Sequence, residues 1–102
     1  MNLAQLNYAR RVAETGSFSE AAKVCCVTQP TLSNGIAQLE KELGRKLFRR
    51  TTRSVTLTRF GAHSLPLIKA VLEARDELES SAKSFFEPEN RPLRIGLSPL
   101  ID

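Results

Sequence analysis

A single helical pattern sets the main constraint on this chain. It opens at Thr58, a capping residue, and runs to about Phe86. Leu65, Ile68, Leu72, Leu78, Ala82 and Phe85 recur in it every three or four residues, once Arg75 is counted as the polar step between Leu72 and Leu78. At a rise of about 1.5 Å per residue such a helix is on the order of 40 Å long. The whole chain has 102 residues, and a domain of that size buries only a modest core. The stripe is therefore expected to find its apolar partner in a second copy of the chain, by antiparallel or coiled pairing. Pro66 lies inside the pattern and is expected to bend the helix or cost it a hydrogen bond near Ala62.

Three shorter helical segments precede it. Leu3, Leu6, Ala9, Val12 and Ala13 share one face of a helix capped by Asn2 and stopped at Gly16. Ser17-Phe18-Ser19-Glu20 has the spacing of a capping box and opens a short helix through Ala21, Ala22 and Val24, whose small residues allow close helix crossing. Cys25-Cys26-Val27 breaks the pattern. Thr28 then caps a third helix, with Pro30 in its first turn, Leu32, Ile36, Leu39 and Leu43 along its buried stripe and Gly44 as its stop. Its other face carries Gln29, Thr31, Ser33, Asn34, Gln38 and Lys41. From Leu47 to Leu57, apolar ends flank a Thr-, Arg- and Ser-rich middle, the pattern of a two-stranded ribbon with a polar tip.

Charge is unevenly placed. The chain is 41% hydrophobic and 25% charged, a globular composition that excludes disordered and collagen-like classes, and its net charge is +4. Residues 41–69 hold eight basic side chains, Lys41, Arg45, Lys46, Arg49, Arg50, Arg53, Arg59 and Lys69, against one acidic one, whereas residues 70–90 hold two against six. Such a basic block attracts phosphates, although charge alone is equally consistent with a solvated face. No apolar run approaches the roughly 20 residues needed to cross a bilayer and no signal peptide opens the chain, so a cytoplasmic protein without a membrane partner is expected.

Two short helices joined by a tight turn, the second opening with polar side chains and followed by a basic ribbon, form the arrangement of a winged helix-turn-helix. A helix about 10 to 12 Å across fits the major groove of B-DNA, where the side chains of its first turn reach base edges. The expected fold is mainly α, with a short β wing and a long dimerisation helix. The residues that carry it also resemble a known family, the LysR-type transcriptional regulators. The resemblance rests on Val12-Ala13-Glu14, Gly16-Ser17-Phe18, Ala21-Ala22, Val27-Thr28-Gln29-Pro30-Thr31-Leu32-Ser33, Ile36-Ala37-Gln38-Leu39-Glu40, Leu43-Gly44, Leu47-Phe48-Arg49-Arg50 and Leu57-Thr58 followed by Gly61.

The resemblance implies a homodimer on a partly palindromic duplex site, with residues 1–58 as the DNA-binding domain and 59–87 as the linker helix. Residues 88–92 would then be a hinge and 93–102 the first strand of an absent domain that senses a small-molecule effector; the chain itself is expected to need no cofactor and to be no enzyme. RNA polymerase as a partner and a tetrameric assembly are left open for the full-length protein. Thr28, Gln29, Pro30, Thr31, Ser33, Asn34 and Gln38 match the recognition helix. Gln29 is the best base-edge candidate, because its amide can pair with adenine in two places. Thr31 offers a methyl to thymine and Ser33 a hydroxyl to base or phosphate. Arg49, Arg50, Thr51, Arg53 and Thr58 match the wing and its phosphate contacts, with Arg53 at the tip for a narrow A·T-rich minor groove.

Asn34-Gly35 departs from the family's usual longer polar pair, Ala9 replaces a frequent aromatic and is expected to loosen the core, and no glycine marks the turns at Cys26 or at 52–54. Positive φ there would be strained. Cys25 and Cys26 are adjacent, a poor geometry for a mutual disulfide, and the only histidine, His63, is distant, so packing is the simpler role for the thiols. Two rivals follow from the same residues: a dimeric coiled-coil adaptor that binds protein, and a chromosome-packing protein indifferent to sequence. Salt dependence separates the first, and competition with random DNA the second.

Overall fold

The computed structural model describes residues 1–85; the expected hinge and final strand lie outside them. The order is α1 (Leu3–Thr15), α2 (Phe18–Cys25), α3 (Gln29–Leu43), β1 (Phe48–Arg50), β2 (Val55–Leu57) and α4 (Arg59–Phe85). Met1–Leu72 forms one compact unit, and a second begins at Glu73 within α4.

Side-chain chemistry sets each boundary. Asn2 accepts from the Gln5 amide while the Gln5 side chain accepts from the Asn2 amide, closing a capping box on α1. At α2 only half of the expected box forms: Ser17 accepts from Glu20 N at 3.1 Å, and the Glu20 carboxylate pairs instead with Lys23. Thr28 caps α3, and Gly16 and Gly44 end α1 and α3 in the left-handed region at φ 70° and 78°.

Cys26 ends α2 in the same region at φ 58°, the one non-glycine residue to do so among the described residues. A side chain with a Cβ pays for that conformation, which relieves the α2 carbonyls through hydrogen bonds from Cys26 N. Cys26→Gly is therefore expected to raise stability by about 1 kcal/mol, measured as a higher urea midpoint at an unchanged slope.

The helices α1, α2 and α3 pack on one another around Leu6, Ala9, Val12, Phe18, Ala21, Leu32, Ile36 and Leu39. Ala9 is fully packed, and Tyr8 beside it lies against Gly35, where an added Cβ would stand 2.8 Å from the ring. Gly35 thus faces α1 rather than solvent, so its small size serves packing. β1 and β2 pair antiparallel with Phe48 opposite Leu57 and Arg50 opposite Val55.

Helix α4 turns inward the part of its apolar stripe that carries Ile68 and Leu72, which pack into the chain's own core. Gly61, Ser64, Ile68 and Leu72 are buried, Leu65 is half-buried, and Leu67 and Val71 are exposed. The missing Cβ of Gly61 lets the helix start close to Leu47 and Leu57 at the base of the wing. The helix continues through Pro66, where the missing amide leaves the Ala62 carbonyl without its usual partner.

Candidate nucleic-acid interface

Helix α3 begins with its polar side chains in solvent. Gln29, Pro30, Thr31, Asn34 and Gln38 are exposed and Ser33 is half-buried, while Leu32, Ile36 and Leu39 turn inward. Gln29 and Ser33 are one turn apart and share a face. The Thr28 hydroxyl accepts from Thr31 N at 3.2 Å and donates to the Thr31 hydroxyl at 2.9 Å. Thr28 is thereby committed to the cap, whereas the Gln29 amide forms no hydrogen bond among the described residues.

The wing tip is built without glycine or positive φ. Thr51 N donates to Ser54 O at 2.8 Å, and the Thr51 hydroxyl accepts from Arg53 N at 3.2 Å and Ser54 N at 3.0 Å. A tight hairpin of the usual primed type needs left-handed residues; here a side chain supplies the turn's acceptor instead. Arg53 stands exposed at this tip, and Gln29 and Arg53 line the same hollow of about 250 Å³, together with Ser17 and Ser19. The start of α2, the start of α3 and the wing tip therefore converge.

Besides Thr28, two more expected contact residues have prior engagements, Thr51 and Thr58. The Thr51 hydroxyl holds the turn just described. The Thr58 hydroxyl donates to Lys46 O at 2.7 Å and accepts from Gly61 N at 2.9 Å, so it joins the wing to α4 rather than standing free for a phosphate. Arg49 is exposed on β1, opposite Thr56.

Two other residues organise the site in ways that spacing did not reveal. The Glu40 side chain is only 11% exposed, and its Oε2 accepts from Leu47 N at 2.7 Å and Phe48 N at 3.3 Å. A carboxylate on α3 thus fixes where β1 starts, tying the wing to that helix. Arg50 lies with its guanidinium carbon 3.7 Å from the centre of the Phe18 ring and donates from Nη2 to Ser33 Oγ at 3.1 Å. Periodicity marks Glu40 only as the polar neighbour of Leu39, and nothing local marks Arg50 as a partner of Ser33.

On α1 charge is internally satisfied. Arg11 and Arg10 both pair with Glu14, and the hydrogen bond from Arg11, helped by Arg10, holds that carboxyl below its ordinary value. These two cations add little to the basic block. Burial pushes the Cys25 thiol up, whereas Cys26 is exposed. His63 is exposed on α4 with its ring 6.5 Å from that of Phe60. Among the described residues no group of His, Cys, Asp and Glu is placed to hold a metal ion, and no helix is long and apolar enough to cross a membrane.

Of the residues expected to mediate pairing, Ile68 and Leu72 are 7% and 1% exposed and belong to the chain's own core. Those positions have no surface left to offer. In the second unit Leu78, Ala82 and Phe85 are exposed.

Residues 3–62 match the family described as bacterial regulatory helix-turn-helix protein, lysR family. The chain is 41% identical over 90 residues to the probable hydrogen peroxide-inducible genes activator of Mycobacterium leprae (strain TN), a match covering 88% of this chain and 29% of that protein. It is 40% identical over 101 residues to the DNA-binding transcriptional dual regulator OxyR of Escherichia coli (strain K12), covering 99% and 33% respectively. The solved BenM_DBD/catB site 1 DNA complex matches with a TM-score of 0.81 at 36% identity, covering 85% of this chain and 97% of that one. The chain spans about a third of the length of these two curated relatives.

Proposed function

The chain belongs to the LysR family of bacterial regulatory helix-turn-helix proteins, and from that premise we propose that it binds a partly palindromic duplex DNA site as a homodimer and regulates transcription in the cytoplasm. The observation that supports this reading best is the convergence of Gln29, at the start of α3, and Arg53, at the wing tip, around one hollow. Eight basic residues between positions 41 and 69 supply the attraction for phosphates. In this reading α3 enters a major groove with Gln29 on a base edge, Arg53 enters the adjacent minor groove, and Arg49 and Lys41 meet the backbone. The solved BenM_DBD relative is in complex with DNA, which supports DNA as the partner.

Residues 1–58 act here as the reading head and 59–87 as the linker helix that sets half-site spacing. A small-molecule effector acts through a further domain of the kind carried by longer relatives.

The test is an anisotropy titration of the chain against random and genomic duplexes at several salt concentrations. A steep salt slope with a sequence-selective fraction is expected; binding that is absent, or equal for all duplexes, rejects the reading. Gln29→Ala is expected to lose about 1 to 3 kcal/mol of discrimination at one base position and to leave random-duplex binding nearly intact. Equal weakening on every sequence would show that Gln29 does not read a base.

A further inference from the structure

Ser33 sits half-buried on α3, one turn beyond Gln29, and its oxygen already accepts a hydrogen bond from Arg50 Nη2 at 3.1 Å. The donor is itself pinned. Its guanidinium stacks 3.7 Å over the Phe18 ring, and Phe18 is held edge-on to Phe48, with centroids 6.1 Å apart and planes at 78°. Both phenylalanines are buried. A cation over a buried aromatic face is attracted by the ring quadrupole, and the planar group cannot swing freely. Arg50 therefore reaches Ser33 from a fixed platform built by α2 and β1.

We infer that Arg50 is a positioning residue that makes Ser33 a hydrogen-bond donor toward DNA, selecting an acceptor on the duplex. The inference rests on the DNA-binding reading above. Its chemical basis is the inventory of each group: guanidinium has five N–H donors and no acceptor, whereas a hydroxyl has one hydrogen and two lone pairs. Arg50 occupies a lone pair of Ser33 and leaves its hydrogen unspent. The charge assistance also polarises the hydroxyl, making that hydrogen a better donor. The matching partners are a purine N7, guanine O6, thymine O4 or a phosphate oxygen, and the exocyclic amines of adenine and cytosine are disfavoured.

The test uses the full 102-residue chain and a duplex selected from a random-sequence pool by the unsubstituted protein. Affinities are measured for the unsubstituted protein, Ser33→Ala, Arg50→Lys and the double variant, across single base-pair substitutions and at several salt concentrations. Arg50→Lys keeps the charge and removes the planar face. Each single variant is expected to lose about fivefold in affinity, the size of one modest hydrogen bond, and the double variant to lose no more than Ser33→Ala alone.

If the acceptor is a base, both losses fall at the same base pair, and a 7-deazapurine or amine-bearing base there reproduces them without further effect on Ser33→Ala. If it is a phosphate oxygen, the losses are uniform across sequences at an unchanged salt slope. Additive losses in the double variant, or full affinity in Arg50→Lys, overturn the inference. Arg50 is exposed and Ser33 half-buried, and matched thermal melts separate any folding defect from a binding loss. An unsubstituted chain that selects no sequence would instead overturn the DNA-binding reading, and this inference with it.

Discussion

Gly61→Ala is expected to destabilise the chain by about 3 kcal/mol, the top of the usual range for overpacking, through the addition of one methyl group. A Cβ at Gly61 would stand 2.1 Å from the Leu47 carbonyl oxygen and 3.0 Å from its carbon, distances that no rotamer change relieves because the obstacle is backbone. Nor can that backbone move freely. The Leu47 carbonyl accepts from Thr58 N at 3.0 Å, and Leu47 N is held by the Glu40 carboxylate at 2.7 Å. Displacement of Leu47 would cost these bonds and shift β1, so the same variant is expected to lose selective DNA binding before it loses helical content.

Gly35→Ala is the matched control. There the Cβ meets the ring edge of Tyr8, at 2.8 and 2.9 Å, and a side chain can yield. The gain of about 1 kcal/mol in helix propensity offsets much of that strain. Urea denaturation separates the two: the midpoint should drop sharply for Gly61→Ala and stay within about 1 kcal/mol equivalent for Gly35→Ala. Equal midpoints would mean that α4 can slide away from Leu47.

Local chemistry made the reading head legible from sequence. Thr28, Pro30 and Gly44 bracket α3 because capping depends on residues a few positions apart, and the observed helix, Gln29–Leu43, ends where those residues place it. The strand pair from 48 to 57 followed from apolar ends around a polar middle. Interactions between distant segments were not legible in the same way. Glu40 serves amides seven and eight positions away, and Arg50 serves a hydroxyl seventeen positions back. Neither carries a periodic signal. The inward face of α4 is legible from Leu65, Ile68 and Leu72, but not that its first half packs into the chain's own core, because the close approach of Gly61 to Leu47 joins segments apart in sequence. Thr51 and Thr58 are expected at DNA from the family resemblance; here the Thr51 hydroxyl serves its own turn and the Thr58 hydroxyl joins Lys46 to the start of α4.

The burial of Ile68 and Leu72 in the chain's own core moves the expected pairing surface to a neighbouring face of α4, and the second large effect follows from it. With Ile68 and Leu72 inside the core, the neighbouring ridge of Leu67 and Val71 remains 61% and 46% exposed. Beside it Leu6, Leu43, Leu67 and Val71 line an apolar hollow of about 180 Å³. Exposed leucine and valine one turn apart on a helix are the natural knobs for a second copy. The double variant Leu67→Glu with Val71→Glu is expected to halve the solution mass, because burying two carboxylates without partners costs far more than leaving them in water. In the monomer both positions face solvent, so the thermal melt should change little. Two linked heads bind two half-sites with an effective concentration that separate heads lack, and affinity for a two-half-site duplex is expected to fall by about 10² to 10⁴ while that for a single half-site is retained. A variant that remains dimeric would place the seam in the second unit, where Leu78 is 70% exposed. One that becomes monomeric yet keeps full affinity would instead show that the half-sites are read independently, leaving α4 no part in spacing them.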